Sequence, residues 1–209
     1  MKPDLLPVTA IMTRRTAHKG MPSPQAGAFL IEFALILLVF LTIVFIAIEM
    51  SRALYIVNTL QEVTRRAARQ AAVTNFSDAT AMAEVRRNAI FRTTDGELAF
   101  ASPVSERHIL VDYLARHTDA RGMTTYVPIA TLPACPARNR VICAANDEDA
   151  SCIRFVRARV CDVGSTASNC IPIPYQAAMP LLSFPMKLPV SSTIAKAETL
   201  GYTGTVPCS

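Results

Sequence analysis

The chain has 209 residues, which leaves room for one domain of ordinary size plus an anchor and argues against a multidomain protein. Hydrophobic residues make up 51% of the sequence, but their excess is concentrated in residues 28–48. No second stretch approaches this one in length and apolarity, which excludes a polytopic membrane protein. The net charge of +5 at pH 7 directs attention to acidic partner surfaces.

Residues 1–27 are predicted to form a leader without regular structure. They combine prolines and glycines with four basic residues and one acidic residue, and they lack apolar periodicity. The positive-inside tendency then keeps the N-terminus in the cytoplasm and exports everything beyond Ile48. Arginines beyond the span argue for the opposite orientation. The cysteines favour export of the C-terminal part, because all of them follow the span.

Residues 28–48 are predicted to form a transmembrane helix. Glu32 and Thr42 are the polar members of these 21 residues, and a run of this length spans about 30 Å of hydrocarbon. A secretory signal peptide is an alternative, but its apolar core would be roughly 7–15 residues long and followed by a small-x-small cleavage site. A twin-arginine signal, suggested by "TRRTAHK", would require apolar residues that are absent after the arginine pair.

The helix is predicted to continue without a break to about Val73. Apolar residues recur every three or four positions after the span, which is typical of one face of an amphipathic helix. They are Ala53, Leu54, Val57, Leu60, Val63, Ala67, Ala68 and Ala71. A helix over residues 28–73 would be roughly 70 Å long.

Two shorter helices are predicted to follow. Ser77 can cap the first, which should end at "TTDGE". Its inner face would carry Ala79, Met82, Val85, Ala89 and Ile90. Ser102-Pro103 resembles a cap with proline in the first helical position. The helix that it opens would carry Val104, Leu110, Val111 and Leu114.

Strands are predicted beyond Met123. The stretches "MTTYVPIATL", "CIRFVRARVC" and "LPVSSTIAKAET" are rich in β-branched residues and flanked by turn formers. One face of "CIRFVRARVC" mixes Ile153 and Phe155 with Arg157 and Arg159, so we expect a half-exposed sheet. The predicted fold class is α+β: a long N-terminal transmembrane helix that extends into a small exported domain with short helices and a mostly antiparallel sheet. The predicted divisions are a cytoplasmic leader (1–27), the transmembrane helix (28–48), an exported helical region (49–122) and a cysteine-containing β-rich region (123–209).

The beginning of the span resembles the processing site of type IV pilin-like proteins. Gly27 is followed by four apolar residues, then by Glu32 and Phe33 and an unbroken apolar run. The resemblance implies that a prepilin peptidase cleaves after Gly27 on the cytoplasmic side. Ala28 would then be the first residue of the mature chain and Glu32 the fifth.

More narrowly, the segment from Glu32 to Ala72 is similar to the TadE-like minor pilins of tight-adherence (Tad) pilus systems. It carries the Glu-Phe opening, the acidic-x-x-Arg step at Glu49 and Arg52, and an Ala-Ala-Arg helix end at residues 67–69. The C-terminal "PLLSFPMKLPVSSTIAKAE" resembles the closing segment of this family. The resemblance implies a non-enzymatic pilus or secretion component in the bacterial inner membrane, with its C-terminal domain in the periplasm. The implied partners are the prepilin peptidase, other Tad minor pilins, inner-membrane platform proteins and the lipid bilayer.

Two features bear on the type of pilin. A leader of 27 residues is long for a pilin, so Met12 and Met21 are alternative starts. The exported region is larger than that of the major pilin of these systems, which favours a minor, accessory subunit.

Glu32 requires an explanation, because a carboxylate in a membrane helix costs roughly 2.5–3.5 kcal/mol near the bilayer centre. In a pilin assembly it can pair with the N-terminal ammonium of a neighbouring subunit, which offsets much of this cost. Such a pair would fix the register between subunits. The alternative is a glutamate that reaches the interface and has no further role.

The cysteines are expected to form disulfides that stabilise the exported domain; they are Cys135, Cys143, Cys152, Cys161, Cys170 and Cys208. No CxxC pair is present, which argues against a zinc ribbon or a redox site. A strand would hold Cys152 and Cys161 roughly 30 Å apart, so these two cannot bond. A bridge between Cys161 and Cys170 across a turn-rich loop is favoured. The repeated spacing of nine residues is interpreted as chance.

Neither a cofactor nor a metal site is predicted. His108, Asp112 and His117 can suggest a metal site, but a solvated helix face explains them better. "NDEDAS" (residues 146–151) lacks the glycine and distal glutamate of a calcium loop, so a solvated turn is favoured over weak calcium binding. We find no nucleophile–base set that would support an anchored enzyme.

A basic surface is predicted on the exported helices from Arg65, Arg66, Arg69, Arg86 and Arg87. Outside the cytoplasm, acidic proteins or anionic lipids are better targets for it than nucleic acid, and plain solvation is the commonest outcome. The alternative function to a pilin is a single-span, membrane-anchored periplasmic binding module. Such a module has no need of Gly27 or Glu32, so Glu32→Leu should leave it intact.

Overall fold

The computed structural model describes residues 25–179 and 185–204, and these form an α+β fold, as predicted. The helices are α1 (Gln25–Val73), α2 (Ala79–Ala89) and α3 (Pro136–Ala145), and the strands are β1 (Ile109–Thr118), β2 (Thr124–Pro128), β3 (Phe155–Val160) and β4 (Ser192–Lys196). The chain divides into two units between Val44 and Phe45. Cys208, most of the leader and residues 180–184 of the closing segment lie outside the described residues.

Helix α1 confirms the predicted long helix. No glycine or proline interrupts the sequence from Ala28 to Val73, so nothing in it breaks the backbone ladder. Its N-terminal half exposes large apolar side chains on all sides; Phe29 is 69% exposed and Leu38 is 62% exposed. By length and composition this helix can cross a membrane, and the side chains of its most apolar stretch are not buried within the protein.

The sheet is antiparallel throughout, in the order β2-β1-β3-β4. Its second strand, β1, contradicts the helix predicted from Ser102-Pro103. A short 3-10 turn occupies Glu106–His108, and the chain then extends through Ile109–Thr118. Pairing with β2 on one side and β3 on the other satisfies the backbone of β1, and β-branched residues such as Ile109 and Val111 suit such a strand. The three strand-like stretches after Met123 contain β2, β3 and β4, as predicted.

The second half of α1 packs against the sheet through small and branched side chains. Ile56, Leu60 and Val63 are at most 1% exposed and share a core with Ile109 of β1 and Val160 of β3. Burying each of these large side chains contributes about 1.5–3 kcal/mol. A second cluster joins the end of α1 to α2 and to the middle of the sheet; it contains Ala71, Ala72, Met82, Val85, Tyr113 and Val156.

Alanines line the C-terminal part of α1, where the helix is most deeply buried. Ala67, Ala68 and Ala71 are fully buried. Side chains of this size let the helix backbone approach its neighbours closely. The Ala-Ala-Arg helix end noted in the sequence is therefore a packing feature, followed by the exposed Arg69.

Helix α2 is present, but its bounds differ from the prediction. Asp78, not Ser77, is the N-cap, and its carboxylate accepts hydrogen bonds from the backbone of Thr80 and Ala81. The helix ends at Ala89, before "TTDGE". Helix α3 was not predicted, although Pro136 in its first turn is a typical helix start.

Candidate functional site: the Glu49–Arg52 cluster and the apolar half of α1

Glu49 is a buried carboxylate at the point where α1 changes from apolar to amphipathic. Its residue is 3% exposed. Its Oε1 atom accepts a short hydrogen bond from the hydroxyl of Tyr175 and one of 3.0 Å from Nη1 of Arg52. The backbone amide of Ala178 lies 3.3 Å from both carboxylate oxygens. Because each lone pair of a buried charge needs a partner, these contacts make the burial of Glu49 tolerable.

Arg52, one helical turn further on, binds two backbone carbonyls from distant parts of the chain. Its Nε atom donates to the carbonyl of Phe100 at 2.9 Å, and its Nη1 atom donates to the carbonyl of Gln176 at 2.7 Å. The guanidinium also lies 5.5 Å from the centre of the Tyr175 ring. The planar fork of arginine supplies these donors in a fixed geometry, which lysine does not.

The Glu49–Arg52 cluster therefore joins three segments: α1, the turn at Phe100 (called the Phe100 tip below) and residues 175–178. Burial, together with the carboxylate of Glu49, raises the pKa of Tyr175. The hydroxyl thus stays protonated and able to donate at neutral pH. The cluster is a positioning device, and it gives the acidic-x-x-Arg pair of the sequence a structural role.

The predicted processing and assembly residues lie on the apolar half of α1. Gly27, Ala28, Glu32 and Phe33 are all exposed. A Cβ atom built on Gly27 would meet nothing within 4 Å. Within the described part of the chain, Glu32 makes neither a hydrogen bond nor an ion pair. The carboxylate is therefore available to another molecule.

Asp112 is buried between two arginines, which contradicts the predicted solvated helix face. Its Oδ2 atom accepts hydrogen bonds from Arg159 at 2.6 and 3.0 Å and from Arg157 at 3.0 and 3.1 Å. Both arginines also donate to the carbonyl of Ala167, at 2.8 and 2.9 Å. Strand pairing places Asp112 opposite Arg157. The face of β3 that was expected to be half exposed is therefore covered where it carries Arg157 and Arg159.

The two histidines that could suggest a metal site, His108 and His117, have different surroundings. His108 is 9% exposed, and its Nδ1 atom lies 3.0 Å from the backbone amide and the hydroxyl of Ser105. His117 lies near the end of β1, across from Thr125 of β2. Among the described residues, no three potential ligands come close enough to hold a metal ion.

The acidic turn "NDEDAS" is bound to arginines rather than simply solvated. Asp147 lies 3.0 Å from both Arg116 and Arg154, and Glu148 lies 3.0 Å from Arg116. Hydrogen bonds from Thr118 and Arg116 lower the pKa of Glu148. The acidic groups of this turn therefore fix it against β1 and against Arg154, which directly precedes β3.

Two disulfides close loops of the same length. Cys161 bonds Cys170, as predicted, and Cys143 bonds Cys152. The exclusion of a bond between Cys152 and Cys161 is confirmed. The regular spacing of nine residues, which we interpreted as chance, is the separation within each of the two pairs. Cys135 is not free.

The predicted basic surface is only partly available for binding. Arg65 and Arg69 are exposed. Arg66 instead stacks on the ring of Phe91 at 4.5 Å, and Arg87 lies 3.3 Å from Asp95. Two of the five arginines of the predicted surface therefore have partners within the protein.

Sequence reasoning missed the partner of Glu49. Tyr175 lies 126 positions further along the chain, and no local pattern connects the two. The sequence did contain a signal for the ion pairs of Asp112. Arg157 and Arg159 are two positions apart and so share one face of a strand, and charges that are buried on such a face need an opposite charge beside them.

One comparison with known proteins bears on this arrangement. Residues 27–69 match the model of the family described as TadE-like protein. The match begins at Gly27 and includes Glu32, Glu49 and Arg52, so it confirms the resemblance for this segment. No curated protein and no solved structure matches the chain.

Proposed function

We propose that this chain, which matches the model of the TadE-like family over residues 27–69, is a minor pilin or pseudopilin of a Tad-type pilus or secretion assembly. It would be anchored in the bacterial inner membrane by residues 28–48, with the sheet domain in the periplasm. A prepilin peptidase would cleave it after Gly27. Its role is structural, and its partners would be other Tad minor pilins and the inner-membrane platform.

The observation that carries this proposal is the match to the family model, which begins at the predicted cleavage glycine. Two structural features support it. The apolar half of α1 is unburied, as a segment that contacts lipid or neighbouring helices would be. Glu32 is exposed on this half without a partner in the described residues, which suits pairing with the new N-terminus of a neighbouring subunit.

The disulfides support export of the sheet domain. Cys143–Cys152 and Cys161–Cys170 both lie beyond α1, and disulfides persist in oxidising compartments such as the bacterial periplasm. An inner-membrane anchor with a periplasmic domain would place both disulfides in such an oxidising compartment.

The test is the N-terminal residue of the membrane-extracted protein, determined by intact mass and N-terminal peptide mapping. In cells with an active prepilin peptidase, we expect a mature chain that begins at Ala28. Gly27→Leu should leave the leader uncut, and the matched variant Gly20→Leu should be processed normally. An intact leader in the unchanged protein would refute the proposal and favour a membrane-anchored binding module.

A further inference from the structure

Phe100 is an exposed aromatic residue held in an unusual backbone conformation. It is 79% exposed, and its φ is 59°, in the left-handed region that bulky side chains rarely adopt. The amide of Ala101 donates to the carbonyl of Leu98 at 3.0 Å, and Arg52 binds the carbonyl of Phe100 itself. The turn at Phe100 is therefore fixed. Its ring lies edge-on to the ring of Tyr55, with 6.5 Å between the ring centres, and most of its surface stays exposed.

Arg52 also sets the level of this tip along α1. Ile48 is the last residue of the predicted span, and Arg52 lies four residues further on, roughly 6 Å along the helix axis. The headgroup layer on each side of a bilayer is about 5–7 Å thick. A ring bound at the level of Arg52 would lie in this layer, where aromatic side chains are enriched.

A second exposed apolar side chain reaches the same level from another segment. Met186 is 47% exposed and lines an apolar pocket with Ile46, Met50 and Tyr175. The backbone of Tyr175 donates to the carbonyl of Met186 at 2.9 Å. The Glu49–Arg52 cluster thus positions both the Phe100 tip and the segment that carries Met186.

The charge beside Met186 complements a bilayer surface. Lys187 is exposed, and it forms no ion pair within the described residues. A lysine next to an interfacial apolar residue can reach anionic headgroups. Phe45 and Ile48, immediately before the cluster, are 41% and 51% exposed. Both belong to the unit that begins at Phe45 and add apolar surface beside Met186 and Lys187.

We propose that Phe100 and Met186 insert into the headgroup region of the membrane that α1 crosses, and that the Glu49–Arg52 cluster sets their depth. The occupant of this surface is the lipid interface. The inference rests on the proposed membrane anchoring. It adds that the exported domain is seated on the bilayer rather than tethered freely above it.

The experiment uses single-tryptophan variants, because the natural sequence contains no tryptophan. Full-length Phe100→Trp would be reconstituted in phosphatidylethanolamine–phosphatidylglycerol vesicles that contain doxyl-labelled lipids. We expect emission at shorter wavelength than in water, and stronger quenching by a doxyl group near the headgroup than by one near the chain end. In an Arg52→Lys background, this quenching should weaken.

Two variants make the result interpretable. Met123→Trp reports a water-exposed site, because Met123 is 64% exposed. Met123 also follows β1, whose Tyr113 packs against Ala71 and Ala72 near the C-terminal end of α1. Phe40→Trp reports the span. Quenching of Phe40→Trp without quenching of Phe100→Trp would overturn the inference and leave the anchoring intact.

Two other results would also overturn the inference. Absence of quenching in Phe40→Trp would refute the anchoring as well. If the emission of Phe100→Trp depends on the protein-to-lipid ratio and is insensitive to lipid quenchers, a second copy of the chain covers the tip.

Discussion

Asp112 and Arg159 form a buried ion pair between neighbouring strands of the sheet. Nη2 of Arg159 donates to Oδ2 of Asp112 at 2.6 Å, and the two side chains are 8% and 5% exposed. Arg157 binds the same oxygen from the paired position on β3. One carboxylate thus holds two guanidinium groups, and the remaining donors reach the carbonyls of Thr166 and Ala167.

Asp112→Asn should strongly destabilise the protein. The amide keeps the shape of the side chain but leaves two cations without an anion, and breaking a buried pair in this way costs about 3–5 kcal/mol. Chemical denaturation of the solubilised protein, followed by circular dichroism, measures the loss. Asp95→Asn is the matched control, because Asp95 is 75% exposed in its pair with Arg87, and it should cost less than about 1 kcal/mol. Equal effects of the two variants would contradict this role for Asp112.

The disulfides Cys143–Cys152 and Cys161–Cys170 offer a comparison at constant loop length, since both have a sequence separation of nine. Replacing either pair with serines should cost about 3 kcal/mol from loop entropy alone. The Cys161–Cys170 loop also carries the carbonyls of Thr166 and Ala167, which bind the arginine pair. Its removal should therefore couple to Asp112→Asn, whereas removal of Cys143–Cys152 should be additive with that change. Double-mutant cycles of unfolding free energies measure the difference, and equal coupling energies would contradict it.

Stability should fall at alkaline pH because of Tyr113. Burial raises the pKa of Tyr113 to about 12 from its usual value of 10.0. Between these values the unfolded chain releases the proton and the folded chain retains it. The contribution of Tyr113 to the free energy of unfolding is therefore fully present below pH 10. It is lost as the pH rises towards 12, by about 2–3 kcal/mol in total.

Unfolding free energies measured between pH 9 and 12 test this pH dependence. Tyr113→Phe should flatten the decline, because the titrating group is gone and only a weak contact from its hydroxyl to the sulfur of Met82 is lost. Tyr126→Phe, at an exposed position, should leave the profile unchanged. A decline that persists in Tyr113→Phe would contradict the assignment.

Glu49→Gln should loosen the segment around Ala178 without unfolding the domain. Hydrogen bonds to a charged group contribute about 1.5–3 kcal/mol, so losing the carboxylate should speed hydrogen exchange of the Ala178 amide at least about tenfold. Glu62→Gln, at an exposed position on the same helix, should leave this exchange unchanged. Unaltered exchange in Glu49→Gln would show that the carboxylate does not hold the segment.

Glu32→Leu should leave membrane insertion intact but reduce association with other pilus components. The substitution removes a charge that is costly in the bilayer and also removes the proposed partner of a neighbouring subunit's N-terminus. Co-purification from crosslinked membranes measures association, and carbonate extraction measures insertion. Thr42→Leu removes the other polar side chain of the span and should affect neither. Undiminished association in Glu32→Leu would contradict the assembly role.

The success of sequence reasoning differed between local and non-local features. Helix α1 and the three later strands were predictable, because periodicity and β-branched runs are local signals. The helix predicted from Ser102-Pro103 is wrong: Leu110, Val111 and Leu114, which it was expected to carry, lie in β1, because pairing with β2 and β3 outweighed a weak local pattern. The Cys161–Cys170 bridge followed from the turn-rich loop between its cysteines, whereas Cys143–Cys152 requires the end of α3, which was not predicted.

The sequence by itself determined the apolar span, the Gly27–Glu32 spacing and the Glu49-x-x-Arg52 pair, because each depends on residues within a few helical turns. Only the tertiary structure decided which partners these residues have. Tyr175 and the Phe100 carbonyl reach Glu49 and Arg52 from positions 126 and 48 residues away, and Arg159 reaches Asp112 across a strand pair. Buried charges must be paired to be tolerated. The fold alone brings such partners together, since no local rule specifies contacts at these separations.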